Sequence, residues 1–213
     1  MILSKLVAAN TAALLLQIKA IKLNTQSPYI WASGWNSPIY CDNRLTLSYP
    51  EIRTYLKEQL SDIIKQKFKD CDGIAGVATA GIPHGALVAD VLGLPFIYVR
   101  STPKSHGLTN LIEGKVMAGQ KIIVVEDLIS TGGSSLNVVN ALRAADCNIL
   151  GLIALFSYGF DVAVKAFLAA ECPFYTLTNY DALIEKAIEQ GFVKKEELET
   201  LAAWRNKPEE WRK

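Results

Sequence analysis

The sequence lacks the patterns that mark several common classes of protein. Its four cysteines lie far apart and form no C-x-x-C pair, which argues against a zinc site or a disulfide framework. The formal net charge is +1, so no overall field favours nucleic acid or an anionic membrane. The apolar run at residues 12–16 is too short to span a bilayer, and no clear signal-peptide start or cleavage site is present. We therefore expect a cytoplasmic protein whose partner is neither nucleic acid nor a membrane.

Two familiar nucleotide-binding motifs are also missing. The dinucleotide pattern G-x-G-x-x-G does not occur in the chain. Gly76 and Gly81 have the glycine spacing of a P-loop, but Ile82 stands where that motif requires lysine. Any phosphate site in this chain is therefore of another type.

Residues 121–135, KIIVVEDLISTGGSS, contain the most informative pattern. Residues 122–125 predict a strand buried on both faces, and two carboxylates follow it directly. A loop of hydroxyl residues and glycines comes next and leads into a helical period. Glycines let the backbone approach a ligand, and the N–H groups of a helix start favour an anion, so we expect a phosphate here. Hydroxyl donors would come from Thr131, Ser134 and Ser135.

The two carboxylates, Glu126 and Asp127, make this prediction more specific. They repel a nearby phosphate unless a neutral or cationic group lies between. A ribose 5-phosphate provides that arrangement, because its 2- and 3-hydroxyls donate to the carboxylates while its phosphate occupies the loop. The alternative is structural: a buried strand that ends in a solvated acidic turn before a capped helix.

Strands alternate with helices along most of the chain. Buried strands are predicted at residues 74–78, 95–99 and 149–156, with an edge strand at residues 173–177. This alternation predicts an α/β fold with a parallel sheet flanked by helices, in which the loops after the strands share one edge. We divide the chain into an N-terminal helix and hood segment (residues 1–48) and an α/β core with C-terminal helices (residues 49–213).

The first 48 residues carry their own local signals. Apolar spacing predicts one amphipathic helix over about the first 22 residues, broken off before Pro28. Residues 29–31 and 39–41 predict two short strands joined by a turn. Ser48 to Glu51 has the form of a capping box with proline in the first helical turn. Near the other end, Trp204 and Trp211 are interpreted as packing residues.

The central motif resembles that of a known family. Residues 124–134, VVEDLISTGGS, are similar to the phosphoribosyl-pyrophosphate (PRPP) motif of the type I phosphoribosyltransferases. The remainder of the chain resembles the orotate phosphoribosyltransferases within that family. The resemblance implies a PRPP site and transfer of ribose 5-phosphate to orotate. The implied PRPP contacts are Glu126, Asp127, Ser130, Thr131, Gly132, Gly133, Ser134, Thr79, Ala80 and Gly81.

Residues 29–44, YIWASGWNSPIYCDNR, resemble the segment that covers the pyrimidine in that family, and we call them the hood. The implied orotate contacts are Trp31, Ser33, Gly34, Arg44, Thr131 and Tyr158. The chain departs from the family pattern at three places: lysine is common at Ala32 and Ser101, and arginine is common near Tyr158. Arg44 is the residue that we expect to replace that arginine at the orotate carboxylate.

Residues 100–107, RSTPKSHG, resemble the mobile catalytic loop of the family. The implied catalytic residues are Arg100, Lys104 and His106, together with Asp127. Loop 100–114 is expected to reach the neighbouring subunit's site in a homodimer, and Mg²⁺ is expected near Glu126 and Asp127. His84, by contrast, is interpreted as a helix-start residue.

Two other functions remain open at this stage. One is a phosphoribosyltransferase for a different nucleobase, which the hood and loop sequences disfavour. The other is a PRPP-sensing regulator that binds nucleic acid. The sequence shows neither the helix-turn-helix appendage nor the basic face that a regulator would need.

Overall fold

A six-stranded sheet forms the centre of the protein. The computed structural model describes residues 1–31, 33–102 and 111–212. Across the sheet the strands are β10 (Phe174–Asn179), β9 (Asn148–Ser157), β8 (Lys121–Ile129), β5 (Gly73–Val77), β6 (Phe96–Val99) and β7 (Ile112–Glu113). Neighbouring strands are parallel except for the antiparallel pair β6 and β7. The predicted parallel α/β sheet and the edge position of residues 174–177 are confirmed.

Helices cover both faces of this sheet. Those in the described residues are α1 (Lys5–Gln17), α2 (Pro50–Lys67), α3 (Gly81–Leu92), α4 (Gly133–Ala144), α5 (Asp161–Ala169), α6 (Tyr180–Glu189) and α7 (Leu198–Asn206), with short 3-10 helices at Asn43–Ser48 and Lys195–Glu197. None of these helices has both the length and the apolar composition needed to cross a bilayer.

Successive residues of β8 supply two different cores. Ile122 and Val124 pack in the cluster that includes residues of α4 and α5, whereas Ile123 and Val125 pack with residues of α2 and α3. Because side chains of a strand alternate between faces, a continuous apolar run buries both. This double burial fixes the end of β8, and hence the residues that follow its apolar run, relative to the helices on either side.

Glycines allow α3 to begin directly against the sheet. A Cβ added to Gly81 would lie 2.5 Å from the carbonyl oxygen of Val125, and one added to Gly76 would lie 2.9 Å from that of Gly81. A Cβ on Gly85 would meet the ring of Phe96 at 2.8 Å. The first turn of α3 therefore lies against the carboxyl end of β8 at a distance that larger residues do not permit.

The N-terminal residues form two small antiparallel ladders. β1 (Ile21–Leu23) pairs with β4 (Ile39–Cys41), and β2 (Tyr29–Ile30) pairs with β3 (Asn36–Ser37). Their apolar side chains join a third core with residues from the other end of the chain. Its members include Leu15, Ile39, Tyr158, Trp204 and Trp211, so the packing prediction for both tryptophans is confirmed.

Several local predictions were wrong in detail. The first helix ends at Gln17 rather than near residue 22, since Lys19 has a left-handed φ of 57° and the chain then enters β1. The two predicted hood strands exist as β2 and β4, but more than a turn joins them: β3 lies between them and pairs with β2, while β4 pairs with β1. The capping box is absent: Tyr49, not Ser48, precedes α2 and makes no side-chain cap, although Pro50 opens the helix as expected.

Two further boundaries matter for the site. α3 begins at Gly81 rather than at residue 86, which leaves residues 78–80 as the whole connection from β5. β8 continues to Ile129, so the two carboxylates lie within the strand rather than after it. The reason is that β9 extends equally far and pairs with Glu126, Leu128 and Ile129. The loop that follows is therefore only Ser130 to Gly132.

Candidate functional site

The carboxyl ends of β5 and β8 enclose a polar pocket of about 430 Å³, which we call the phosphate pocket. Its lining residues come from the connection after β5, the end of β8, the loop into α4 and the end of β4. They are Cys41, Asp42, Arg44, Ala78, Thr79, Ala80, Glu126, Asp127, Leu128, Ser130, Thr131, Gly132, Gly133 and Ser134. Nine of the ten predicted PRPP contacts thus line one pocket; Gly81, the buried first residue of α3, is not among the lining residues.

The loop into α4 turns through a left-handed glycine. Gly132 has a φ of 86°, and its carbonyl accepts the first helical hydrogen bond from Leu136 at 3.0 Å. No side chain caps this helix start. The unpaired N–H groups of the first turn therefore remain available to an anion in the phosphate pocket.

Glu126 is buried against α4. Its side chain is only 5% exposed and accepts hydrogen bonds from the Ser135 hydroxyl at 3.2 Å and the Asp127 backbone N–H at 3.1 Å. Burial, followed by the neighbouring Asp127 carboxylate, raises the pKa of Glu126 well above its usual value. Ser135 is itself fully buried, so its hydroxyl orients Glu126 rather than facing the loop's anion site.

Asp127 completes the acidic pair. Burial raises the pKa of its carboxyl group as well. The buried side chain of Asn43 donates to the backbone carbonyl of Asp127 at 2.8 Å and ties the hood to the end of β8. Two adjacent carboxyl groups in this low-dielectric setting need a proton, a cation or donor hydroxyls to be stable, which is what a metal-bound sugar would supply.

The donor set suits a cation that is held jointly with a substrate. Among the described residues no cluster of three or more His, Cys, Asp or Glu side chains could hold a metal ion alone. Mg²⁺ is commonly bound through one or two carboxylates together with substrate phosphates, and Glu126 and Asp127 provide that number. The residues therefore fit Mg²⁺ only when a phosphate ligand contributes the remaining oxygens.

A second pocket of about 520 Å³, the aromatic pocket, adjoins the first. It is lined by Ile30, Trp31, Ser33, Trp35, Tyr40, Cys41, Leu128, Ser130, Thr131 and Tyr158. Four of these residues, Cys41, Leu128, Ser130 and Thr131, also line the phosphate pocket. The two pockets thus meet over the loop that begins α4, and one ligand is able to occupy both.

Trp31 and Tyr158 are held rigidly in the aromatic pocket. The indole N–H of Trp31 donates to the carbonyl of Ile39 at 3.1 Å, and its ring lies 5.0 Å from that of Tyr158. Tyr158 is nearly fully buried and stacks on Phe160, and burial raises the pKa of its phenol well above the usual value. Its ring is therefore a neutral wall that suits a flat, conjugated ligand.

Some predicted residues lie elsewhere. Arg44 lines the phosphate pocket rather than the aromatic pocket, and Asp42 holds its guanidinium through two hydrogen bonds of 2.7 and 3.0 Å. Gly34 forms the hood turn, where its N–H donates to Trp31, without lining either pocket. Arg100 follows β6 outside both described linings, 3.6 Å from Glu113. Ala32, Lys104 and His106 lie outside the described residues.

His84 lies in the first turn of α3, as its interpretation as a helix-start residue required. The side chain is only 3% exposed, and burial lowers its pKa to about 4. Its Nε2 has no hydrogen-bond partner within the described part of the chain. A neutral, buried imidazole next to β5 is a packing group rather than a ligand-binding one.

Seven lining residues were not predicted from the sequence, namely Ile30, Trp35, Tyr40, Cys41, Asp42, Ala78 and Leu128. One signal was available for part of this set. A polar run, Asp42 to Arg44, directly follows the strand residues 39–41 in the sequence. Nothing in the chain order, however, indicates that this run returns to the end of β8.

The comparisons with known proteins agree with this geometry. Residues 48–175 match the family model described as "Phosphoribosyl transferase domain". The orotate phosphoribosyltransferase of Bacteroides fragilis is 55% identical over 197 residues, which cover 92% of this chain and 93% of that protein. The orotate phosphoribosyltransferase of Bacillus subtilis is 53% identical over 195 residues, 92% of this chain and 90% of that protein.

A solved structure has the same fold. The crystal structure of orotate phosphoribosyltransferase from Aeropyrum pernix aligns with a TM-score of 0.74 at 24% identity, over 86% of this chain and 99% of that one. The sheet order, the loop into α4 and the high identity to relatives over nearly the full length lead to one conclusion. This chain belongs to the phosphoribosyltransferase family and, within it, to the orotate phosphoribosyltransferases.

Proposed function

We propose that this protein transfers ribose 5-phosphate from PRPP to orotate, giving orotidine 5′-monophosphate and pyrophosphate, in the de novo synthesis of UMP. The observation that carries the proposal is the junction of the two pockets at Ser130 and Thr131. A phosphate loop on one side and an aromatic slot on the other suit a sugar phosphate and a planar base. The carbon at which they join would lie over the loop that the pockets share.

The ribose phosphate would occupy the phosphate pocket. Its 5-phosphate accepts from the free N–H groups at the start of α4 and from the hydroxyls of Thr131 and Ser134. The ribose hydroxyls donate to Glu126 and Asp127, whose pKa values are raised by burial. Binding of the sugar therefore adds hydroxyl donors to those that Ser135 and the Asp127 backbone already give Glu126.

Pyrophosphate would lie near residues 79–81, which follow β5. Breaking the C1–O bond of PRPP places positive charge on the ribose ring and negative charge on the departing pyrophosphate. The carboxylate of Asp127 stabilises the first, and cationic residues stabilise the second. Mg²⁺, when bound with PRPP beside Glu126 and Asp127, would neutralise phosphate charge.

Arg100, Lys104 and His106 are proposed to stabilise the pyrophosphate. They belong to the predicted loop 100–114, whose end is not loop, since Ile112–Glu113 form β7 against β6. We propose that the part before β7 closes over the neighbouring subunit's site in a homodimer and excludes water from the activated sugar. The nitrogen of orotate is already acidic, so we assign no general base. We further propose that the protein acts in the cytoplasm.

The aromatic pocket is the part that selects the base. Trp31, Trp35 and Tyr158 offer stacking surfaces, and Ser33 and Thr131 add hydroxyls. Arg44 is our candidate for the orotate carboxylate. From the phosphate pocket, it would reach that group only after its side chain, 62% exposed, leaves Asp42.

The test is to mix the purified protein with PRPP, Mg²⁺ and orotate and to follow the loss of orotate absorbance. We expect rapid loss that stops when EDTA removes the metal and resumes when Mg²⁺ is added in excess. A panel of uracil, adenine and hypoxanthine should give no comparable turnover. Binding of PRPP without loss of orotate would keep the phosphate site and refute the orotate assignment.

The loop assignment has a separate test. Lys104→Ala should lower kcat by about 100-fold or more, because a charge contact made in the transition state is lost. Lys115→Ala, a lysine just beyond the proposed loop, is the matched control and should leave turnover unchanged. Unchanged turnover in Lys104→Ala would refute the proposed role of that residue.

A further inference from the structure

The C-terminal segment, residues 193–212, is attached to the hood and to the turn that leads into it. The Thr25 hydroxyl donates to the carboxylate of Glu197. The side-chain amide of Asn36 donates to the carbonyl of Arg212 at 2.5 Å, and the Arg212 guanidinium donates to the carbonyl of Gln26 at 3.3 Å. These bonds join residues 172 to 186 positions apart in the chain.

Trp204 of α7 supports the aromatic pocket from behind. Its fully buried ring lies edge-on to Trp31 and to Tyr158, with centroids 5.6 Å away in both pairs. Its indole N–H has no hydrogen-bond partner in the described residues, so the side chain acts through packing alone. Because Trp31 and Tyr158 both line the aromatic pocket, the position of Trp204 sets the position of two of its walls.

α7 is in turn fixed to the core. Arg205 donates to the carbonyl of Gly159 at 3.1 Å, next to Tyr158, and the Tyr180 hydroxyl donates to the carbonyl of Leu201 at 3.0 Å. The segment thus bridges the sheet and the hood. Residues of the phosphate pocket make none of these contacts, since the bridge is confined to the aromatic side.

We infer that the C-terminal segment is a positioning element for the base site: it holds the hood strands β2 and β3 and the pocket walls Trp31 and Tyr158 in the orientation that binds orotate. The end of the hood that lines the phosphate pocket is tied to β8 through Asn43 instead, so PRPP binding is unaffected. The inference rests on the proposed function, since it assigns the aromatic pocket to the base. A looser hood would populate the binding orientation less, and the apparent affinity for the base would fall by the same factor.

Thr25 provides the sharpest test because two substitutions separate its hydroxyl from its shape. Thr25→Val keeps the branched side chain of this buried residue and removes the bond to Glu197, whereas Thr25→Ser keeps the hydroxyl. We expect KM for orotate to rise about tenfold in Thr25→Val and to recover in Thr25→Ser, as for the loss of one hydrogen bond to a charged group. KM for PRPP should change less than about twofold in both.

Trp204→Phe tests the packing contact and removes no hydrogen bond. It should also raise KM for orotate selectively. Thr11→Val is the matched control, because Thr11 is a fully buried threonine of α1 whose hydroxyl has no partner among the described residues. Its two KM values should equal those of the unmodified protein.

Hydrogen exchange gives a readout that does not depend on turnover. Amides of residues 24–31 and 33–37 should exchange faster in Thr25→Val than in Thr25→Ser, while amides of β8 and α4 stay protected. Unchanged exchange, or equal rises in both KM values, would overturn the inference. If the unmodified protein failed to consume orotate, the proposed function would fail instead, and faster hood exchange in Thr25→Val would still support the attachment of the hood.

Discussion

Replacing Gly81 with alanine should disturb both the fold and the site. The added Cβ would lie 2.5 Å from the carbonyl oxygen of Val125 and 3.3 Å from the Cα of Glu126. Contacts of a real Cβ below 3.0 Å essentially never occur, so α3 and β8 must separate by at least 0.5 Å. Both neighbours are backbone within regular elements, and neither is able to rotate away as a side chain would.

The size of the effect follows from this overlap. Overpacking of this kind costs about 2 kcal/mol, and the better helix propensity of alanine returns up to about 1 kcal/mol. At about 2–4 °C per kcal/mol for a chain of this size, Tm should fall by roughly 2–8 °C. Because Glu126 moves with Val125, kcat/KM for PRPP should fall by about 10- to 100-fold.

Differential scanning calorimetry and steady-state assays would measure the two effects. Gly133→Ala is the matched stability control, since a Cβ there has no atom within 4 Å and the residue is not in a left-handed conformation. Its Tm should stay constant or rise by the equivalent of about 0.4–1 kcal/mol. A Gly81→Ala protein with unchanged Tm and unchanged kcat/KM would show that α3 does not need the close contact.

Two further predictions concern buried ionisable groups. Glu126→Gln should raise Tm at neutral pH, because burial disfavours the charged carboxylate, and thermal melts would measure this rise. The same substitution should lower kcat/KM by about 100-fold in steady-state assays. Burial lowers the pKa of His84 to about 4, so between pH 6.5 and 4 only the unfolded chain binds a proton at this residue. The free energy of unfolding should therefore fall by roughly 3 kcal/mol as the pH drops from above 6.5 to about 4. Urea titrations at several pH values would measure the free energy of unfolding, and His84→Gln should lack this loss. An equal change of that free energy with pH in both proteins would contradict the buried, neutral assignment.

Patterns in the sequence predicted the central sheet well because burial on both faces requires continuous apolar runs. Two of the signals are local in the sequence: the apolar run of β8 at residues 122–125 and the glycine-rich loop after it. The nearness of that loop to residues 79–80 was also predictable. These features depend on neighbours in sequence and on the rule that parallel strands end at one edge. For the same reason, nine predicted PRPP contacts line one pocket.

The hood could not be predicted to the same degree. The partner of Ile39–Cys41 is β1, a choice that depends on where α1 ends, and a left-handed Lys19 leaves no clear mark in the sequence. The hydrogen bond from the buried Asn43 to the end of β8 likewise spans 84 positions. Side chains that meet only through tertiary packing carry no periodic signal, so they become visible only in the folded chain.

The attachment of the hood also has a consequence for the order of folding during synthesis. All strands that surround the phosphate pocket have been translated once β9 is complete. The walls of the aromatic pocket, by contrast, are completed only by Trp204 and Arg212, which are translated after β9 and close loops of more than 170 residues. Contacts of such long range form late. A nascent chain should therefore acquire the ability to hold a sugar phosphate before it is able to hold the base.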